Sequence, residues 1–332
     1  MKRLSNVKSP KKARSSPLKK KGRLTSDEFC ASHLNTDSPG SSNASMIPEQ
    51  PPVGSSTPET QQETTEDDAV GSTELLDSQK NQARHYKTLQ DMYKSKKPNK
   101  AAVAHLLNLE LNSRRRFITS DVLKPQERPT QILEAYPCFK ELDHVMDEMQ
   151  RIIQPNNGNY IGEIKDRWDN FFSKVQFYGV MKKAMKPPKT LNGVEHTLAV
   201  FAALPSLFPS STPPPKKLGP CSEALCHVIK TAEDPEGFLH QRTLSCPVLL
   251  ISKDNCMIAI GSTPVTTFAT AELKEGLLYL MAYYYALHLS YPKCISTLLL
   301  VLQTEIHQDS IHAQDANSTY KKALAEWKSF IE

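Results

Sequence analysis

The sequence predicts a mostly helical protein with a small β hairpin, preceded by a disordered N-terminal tail. Three observations lead to this fold class. Apolar residues recur at helical spacing in several segments after residue 80. Two short β-like runs flank a polar turn, as in a hairpin. The first 79 residues are rich in Ser, Thr, Pro, Gly and charge and bury little, so the tail is assigned to 1–79.

The tail has two blocks of opposite charge. Residues 1–24 contain ten Lys or Arg and no acid, whereas residues 25–79 contain eleven Asp or Glu and no Lys or Arg. Blocks of like charge repel one another and are typical of interaction tails. The charged start is not followed by an apolar run, so no secretory signal is expected. The seven cysteines are therefore interpreted as thiols of a reducing compartment.

Two basic clusters in the tail predict nuclear import or contact with a nucleic-acid backbone. A solubilising role is the alternative. Ser9 and Ser16 each precede a proline, and phosphorylation there would add about −1.5 to −2 charge and weaken either contact. The residues expected to make the contact are Lys8, Lys11, Lys12, Arg14, Lys19, Lys20, Lys21 and Arg23.

The region 80–209 is predicted to be all helical. A polar helix begins near Ser78, and Pro98 opens a second helix whose apolar stripe is Val103, Leu106, Leu107 and Leu111. Three further helices are bounded by prolines and by an Asn-Asn-Gly turn. They cover 138–153, most of 163–186, and 194–205, where Pro205 is expected to end the last one.

A Pro-rich loop or linker, 210–219, separates these helices from a mixed region, 220–332. Runs 247–252 and 256–261 flank Lys253-Asp254-Asn255 and predict the hairpin. TPVTTF, from Thr263, is expected to continue its second strand. An amphipathic helix over 318–331 ends the chain, with one face formed by Tyr320, Leu324, Trp327 and Ile331.

The most apolar run, Leu277–Gln303, is predicted to be core and not a membrane anchor. Its first part, Leu277–Leu289, has 13 residues, about 20 Å as a helix, which is too short to span a bilayer. Pro292 and Lys293 then interrupt the run, which favours a buried pair of helices packed on the 247–261 hairpin and the last helix. A strand is the rival interpretation for Ile295–Leu302.

Catalytic and metal motifs are not recognised in the sequence, which predicts no enzyme, no cofactor and no metal site. Four carboxylates sit at helical surface spacing and lack partners that would mark an acid–base pair: Glu141, Asp143, Asp147 and Glu148. The Cys and His residues are spaced more loosely than zinc ligands, and the cysteines are expected to be small buried hydrophobes. This set comprises Cys221, Cys226, His227, His240, Cys246 and Cys256.

Three further groups are interpreted as structural. Arg114-Arg115-Arg116 is expected on a solvated face or a basic edge, and Tyr283-Tyr284-Tyr285 in the core with hydroxyls bonded locally. One helix interleaves aromatic and basic residues, a pattern of an amphipathic core helix or of a single-stranded nucleic-acid platform. Core is favoured for its aromatics, Trp168, Phe171, Phe172, Phe177 and Tyr178, which alternate with Lys165, Arg167, Lys174, Lys182 and Lys183.

Four stretches of the chain, spread over residues 80–332, resemble a family of fish proteins labelled as similar to sterile alpha motif domain-containing protein 3. They include KTLQDMYKSKKPNKAAVAHLL, LEAYPCFKELDHVMDEMQRII, KVQFYGVMKKAMKPPKTL and PVTTFATAELKEGLLYLMAYYYALHLSYPKCISTLLLVLQTE. The resemblance implies no catalytic residue. A sterile alpha motif itself is not found, so polymerisation through that motif is not implied.

Two functional hypotheses follow. In the first, the chain is a non-enzymatic nuclear interaction protein with unidentified protein partners, an import receptor that reads the tail, weak nucleic-acid contact and no membrane. The alternative is a cytoplasmic protein–protein interaction module centred on 220–332. A fragment of that region that captures a partner without the tail would favour the second hypothesis.

Overall fold

The computed structural model describes residues 67–94, 98–121, 123–188 and 193–332, with side chains from Lys80 onward. The chain divides into two units, Met1–Ala83 and Arg84–Glu332. The described part of the first unit is helical. All side-chain interactions below belong to the second unit.

Helices dominate the described residues, and one small sheet accompanies them. The helices are α1 (Asp67–Lys94), α2 (Lys100–Leu109), α3 (Leu111–Thr119), α4 (Arg128–Ala135), α5 (Leu142–Ile153), α6 (Tyr160–Met181), α7 (Val194–Leu207), α8 (Pro235–Gln241), α9 (Gly276–Ala286), α10 (Ser296–Glu305) and α11 (Ser318–Ile331). The strands are β1 (Cys226–Val228), β2 (Pro247–Ile251), β3 (Asn255–Ile260) and β4 (Thr263–Ala269). Three 3-10 helices cover Pro137–Lys140, Cys221–Ala224 and Thr270–Glu275. The predicted mostly helical fold with a small β hairpin is confirmed. Of the tail predicted over 1–79, residues 67–79 belong to α1 and residues 1–66 lie outside the described part of the chain.

The sheet has two strands more than the predicted hairpin. Its order is β1-β2-β3-β4; β1 is parallel to β2, and the other pairs are antiparallel. β2 and β3 form the predicted hairpin, with Leu249 opposite Ile258. Gly261 has a φ of +60°, a conformation that glycine adopts readily, and it turns the chain before β4. The TPVTTF run is therefore a separate strand and not an extension of the second one.

Several helix boundaries differ from the expected ones. Helix α1 begins at Asp67, eleven residues before Ser78. The stripe of Val103, Leu106 and Leu107 is buried, but the helix expected to contain it is two helices that meet at Glu110. Helix α7 continues through Pro205 to Leu207. A proline this close to a helix end removes one N–H without preventing the next bond, from Phe208 N to the Leu204 carbonyl at 3.0 Å.

The apolar run from Leu277 is core, as predicted. It forms α9 and α10, so the rival strand interpretation of Ile295–Leu302 is wrong. Within the described residues, no helix combines the length and apolar character needed to cross a membrane. The elements that pack on this apolar run were only partly predicted. Helix α9 packs on α5 and β2, and α10 packs on α11.

The start of α9 lies against the sheet at close range. A Cβ added at Gly276 would come within 2.9 Å of Cδ2 of Leu249, so only a glycine fits this contact without a shift. The opposite face of the sheet is covered by α8, where Leu239 packs on Val248, Leu250 and Ala259. Helices from both sides of the Pro-rich loop thus contribute to one main core around the sheet.

Candidate functional site

Arg114 lies in the core and not on a solvated face, so this part of the sequence interpretation is wrong. Its side chain is fully buried and donates two hydrogen bonds to Glu148, from Nε to Oε1 at 3.0 Å and from Nη2 to Oε2 at 2.6 Å. Nη2 also donates to the Leu107 carbonyl at 2.8 Å. Burial works against the Arg114 charge, but the Glu148 carboxylate offsets this cost, and the pKa of Arg114 is raised.

The next arginine also satisfies a helix end. Arg115 donates to the Tyr285 and Ala286 carbonyls, the last two of α9, at 3.3 and 2.9 Å. The final carbonyls of a helix lack partners within the helix, and cationic donors suit them. Only Arg116 of the three is exposed. The RRR sequence therefore links α2, α5 and α9.

Each of the four carboxylates at helical surface spacing has an ion-pair partner, and Glu148 is buried and not on the surface as its spacing predicted. Glu148 binds Arg114, and Asp147 lies 3.8 Å from Arg151. Lys100 Nζ lies 2.8 Å from Asp143 and 3.8 Å from Glu141, which also accepts a hydrogen bond from the Tyr93 hydroxyl. The Asp147–Arg151 pair lies within α5, whereas the other carboxylates pair with cations of preceding helices, so these pairs support helix stability and packing.

The core interpretation of the aromatic helix is confirmed for four of its five aromatic residues. Trp168, Phe171, Phe172 and Tyr178 are buried, whereas Phe177 is 59% exposed. Three of the five basic residues in this segment are engaged with the protein. Lys165 pairs with Glu275, Lys182 pairs with Glu326, and Arg167 donates to the Ile306 carbonyl, whereas Lys174 is half-buried and Lys183 exposed.

The Cys and His set is dispersed. Cys226, Cys246 and Cys256 are buried, as predicted, and burial raises the pKa of Cys226 to about 12 and that of Cys256 to about 11. Cys221 is half-buried and His240 is exposed. His227 lies between two carboxylates, with Nδ1 2.5 Å from Glu223 and Nε2 3.0 Å from Glu233, and stacks on Phe238. In the part of the chain described, no group of three or more His, Cys, Asp or Glu could hold a metal ion.

Two of the three consecutive tyrosines have hydroxyl partners. Tyr283 donates to the Phe139 carbonyl at 3.0 Å, and Tyr285 donates to Asp309 at 2.8 Å. The Tyr284 hydroxyl is buried with no hydrogen-bond partner among the described residues. Tyr283 and Tyr284 are core residues as predicted, whereas Tyr285 is half-buried. Burial raises the pKa of all three phenols, so they remain protonated.

A cavity of about 500 Å³ lies beside β4, and we call it the β4 cleft. It is lined by Lys100, Lys140, Glu141, Leu142, Asp143, Val265, Thr266, Thr267, Phe268 and Glu272. One wall is therefore the strand, and the other is formed by the starts of α2 and α5 together with the end of the first 3-10 helix. Its volume is in the range of binding sites in proteins.

The cleft follows the edge of the strand and not one of its faces. Successive side chains of a strand point to opposite faces of the sheet. A cavity on one face would touch every second residue, but the β4 cleft touches four in succession, Val265–Phe268. Because β4 is the last strand of the sheet, the space lies where a further strand would pair.

The direction of the β4 backbone groups follows from the hairpin. Ser252 N donates to the Asn255 carbonyl at 2.9 Å, so the backbone N–H and C=O of Asn255 point toward β2. Because these groups alternate along a strand, the backbone groups of Cys256 and Ile258 point toward β4. Their partners, Phe268 and Thr266, face back toward β3. The N–H and C=O of Thr267 therefore point away from the sheet and into the cleft.

The backbone groups of Ala269, two residues further along β4, also point away from the sheet, but its N–H has a partner. Its outward N–H donates to Oε2 of Glu272 at 3.3 Å. Among the described residues, no backbone hydrogen bond outside the helices and the sheet uses Thr267. Pro264 has no N–H to offer, and the β3–β4 register shifts between Ile258 and Ala259. Thr267 is thus the centre of the available edge.

Charged groups of both signs line the cleft. The hydrogen bond from Lys100 lowers the pKa of Asp143 and raises the pKa of Lys100, so both stay charged near neutral pH. Lys140 is exposed at the end of its 3-10 helix. The wall that faces the strand can therefore contact either a basic or an acidic side chain.

None of the cleft residues was singled out as a ligand site by the sequence. The alternation of TPVTTFA and the glycine before it indicate a strand, but an edge strand has the same pattern as an interior one. Lys100, Lys140 and Thr267 are far apart in the chain and meet only in the folded protein.

The residues predicted to contact an import receptor or nucleic acid lie outside the described part of the chain, as do Ser9 and Ser16. Comparisons of the chain with protein-family models, with curated proteins and with solved structures find no match.

Proposed function

We propose that this chain is a non-enzymatic interaction protein that binds an extended peptide segment by strand addition at the β4 cleft. The observation that supports the proposal is the pair of outward backbone groups of Thr267, which have no partner among the described residues and lie at a cavity that follows the strand edge. An edge strand with such groups is a template for another strand. The proposal gives a binding mode to the interaction module that was proposed from the sequence for 220–332.

The geometry favours a short segment. Strand addition at Thr267 forms two backbone hydrogen bonds, and the edge is limited on one side by Pro264 and on the other by Glu272. Each bond contributes roughly 0.5–1.5 kcal/mol net, so the backbone alone gives weak binding. Side chains of the segment that contact Lys100 or Asp143 would supply the remaining affinity.

The cleft includes residues from both sides of the Pro-rich loop. Lys100 and Lys140 precede it, whereas Val265–Phe268 follow it. The proposal therefore concerns the whole compact unit, because residues 220–332 alone lack one wall of the cleft and the α5 cover of α9. Experiments on the site require the full chain.

Thr267→Pro tests the proposal, with Thr267→Val as the matched control. Proline removes the outward N–H, and its ring is tolerated on an edge strand because the β3–β4 bonds use Thr266 and Phe268. Valine keeps the N–H and the branched shape. The probe is a linear 12-residue peptide selected on wild-type protein from a phage-displayed library, with affinity measured by calorimetry.

We expect Thr267→Pro to weaken peptide binding at least five-fold and Thr267→Val to change it less than two-fold. Equal affinity of all three proteins would refute strand addition at this edge. A second copy of the chain is the competing occupant. In that case wild-type protein would dimerise with increasing concentration and Thr267→Pro would stay monomeric, which also refutes the peptide proposal.

Nuclear localisation is a separate proposal, and it is supported by the basic clusters between Lys8 and Arg23. A reporter fused to residues 1–24 should enter the nucleus, and Asp at both Ser9 and Ser16 should reduce entry. A cytoplasmic reporter would favour the alternative location. Membership of the fish protein family is likewise a proposal, supported by the sequence resemblance alone.

A further inference from the structure

Glu272 occupies the position that an added strand would need for its next acceptor. In a strand that pairs with β4, hydrogen-bonding positions recur every second residue, so the neighbours of Thr267 are Val265 and Ala269. The Ala269 N–H already donates to Oε2 of Glu272, and Glu272 lines the same cleft. The carboxylate thus takes the place of a peptide carbonyl.

We infer that Glu272 is an internal competitor that closes one end of the β4 edge and limits the length of the peptide that the cleft accepts, an inference that rests on the proposed function. On the Val265 side the register shift and Pro264 end the ladder. On the Ala269 side the limit is a side chain, which can move. A longer peptide can therefore extend the ladder only by displacing Glu272.

A capping role is the simpler explanation of the same contact. Glu272 is the third residue of the 3-10 helix Thr270–Glu275, and its bond to the Ala269 N–H satisfies a backbone group at the start of that helix. Capping alone predicts that the loss of Glu272 lowers stability and leaves peptide affinity unchanged. Competition predicts a gain in affinity.

Three variants separate the two explanations. Glu272→Ala removes the acceptor. If this variant does not fold, Glu272→Ser is used instead, because the serine side chain is too short to reach the Ala269 N–H in the same way. Glu272→Gln keeps an acceptor oxygen of the same length. Glu275→Ala is the matched control, because Glu275 belongs to the same 3-10 helix, binds Lys165 and Tyr279, and does not line the cleft.

Calorimetry with the selected 12-residue peptide gives the first result. We expect Glu272→Ala to raise affinity about five- to ten-fold, equivalent to one added backbone hydrogen bond. Glu272→Gln and Glu275→Ala should stay within two-fold of wild type. If the wild type binds the peptide and Glu272→Ala binds it equally or more weakly, the inference is overturned and the proposed function stands. A selection that yields no peptide with measurable affinity for the wild type overturns both.

Amide hydrogen exchange, measured by NMR without peptide, gives the second result. The Ala269 amide should exchange more slowly in wild type and Glu272→Gln than in Glu272→Ala, by about ten-fold. The same Ala269 rate in all three proteins would mean that the carboxylate does not occupy the edge, and the inference would fail whatever the peptide does.

Discussion

Helix α5 carries two carboxylates that meet cations from the preceding helices in opposite environments. Asp143, near its start, pairs with Lys100 of α2 at the open β4 cleft, with the Lys100 side chain 63% exposed. Glu148, little more than one turn later, pairs with Arg114 of α3 in the core, where both side chains are fully buried. The chemistry is similar in the two pairs, and the burial is not.

The difference shows what each pair can contribute. An exposed pair gains little, because water and salt screen it and two long side chains must be ordered. A buried pair offsets a large desolvation cost only when its geometry is good, and its loss leaves an uncompensated charge. Arg114–Glu148 therefore belongs to the folding framework, whereas Lys100–Asp143 belongs to the surface of the candidate site.

The largest effect is expected from Glu148→Gln, which leaves the Arg114 charge buried without its counter-ion. We expect a loss of about 3–5 kcal/mol in the free energy of unfolding, measured by urea denaturation followed by circular dichroism. Asp147→Asn, on the same helix but 44% exposed, is the control and should lose much less. Replacing both partners, as Arg114→Met with Glu148→Leu, should recover most of the loss.

A loss below 1 kcal/mol for Glu148→Gln would contradict the framework role of the pair. It would mean that water reaches Arg114 in the folded protein. The double variant, Arg114→Met with Glu148→Leu, tests whether the loss comes from the unpaired charge. If it is as unstable as Glu148→Gln, the loss comes from the shape of the site and not from charge.

The contrast between the pairs also explains what sequence reasoning could and could not find. The stripe of Val103, Leu106 and Leu107 and the hairpin at Lys253–Asn255 depend on local spacing, and both were predicted. Burial of Arg114 depends on Glu148, which is 34 residues away, and an RRR sequence usually marks a solvated face. The β4 cleft depends on long-range packing in the same way.

The buried imidazole of His307 allows the cost of burying a charge to be measured through the pH dependence of stability. His307 is fully buried, its Nδ1 lies 3.4 Å from the Tyr160 hydroxyl, and burial together with nearby Arg167 lowers its pKa to about 3. The unfolded chain binds the proton at a pKa of about 6.5. The free energy of unfolding that depends on neutral His307 is therefore retained above pH 6.5 and is lost as the pH drops from 6.5 toward 3.

The loss from His307 alone should be about 2 kcal/mol between pH 7 and pH 5, since each pH unit costs about 1.4 kcal/mol in this window. His307→Asn removes the titration and keeps a short polar group. Urea denaturation at both pH values should show a smaller pH-dependent loss for the variant. His144 and His196, whose pKa values are also lowered by burial, add a further loss in the same direction. A variant whose stability falls by as much as that of the wild type would refute the role of His307.

The smallest effect is expected where the pair is exposed. Lys100→Met removes the cation beside Asp143 and Glu141 but keeps the apolar stem of the side chain. The urea midpoint at pH 7 should not shift measurably, because solvent replaces the lost ion pair. Added salt should leave the comparison with wild type unchanged. A shift comparable with that of Glu148→Gln would place Lys100 in the folding framework. The Lys100–Asp143 pair in the wall of the β4 cleft would then be needed to hold α5 in place, and a bound peptide could not separate it.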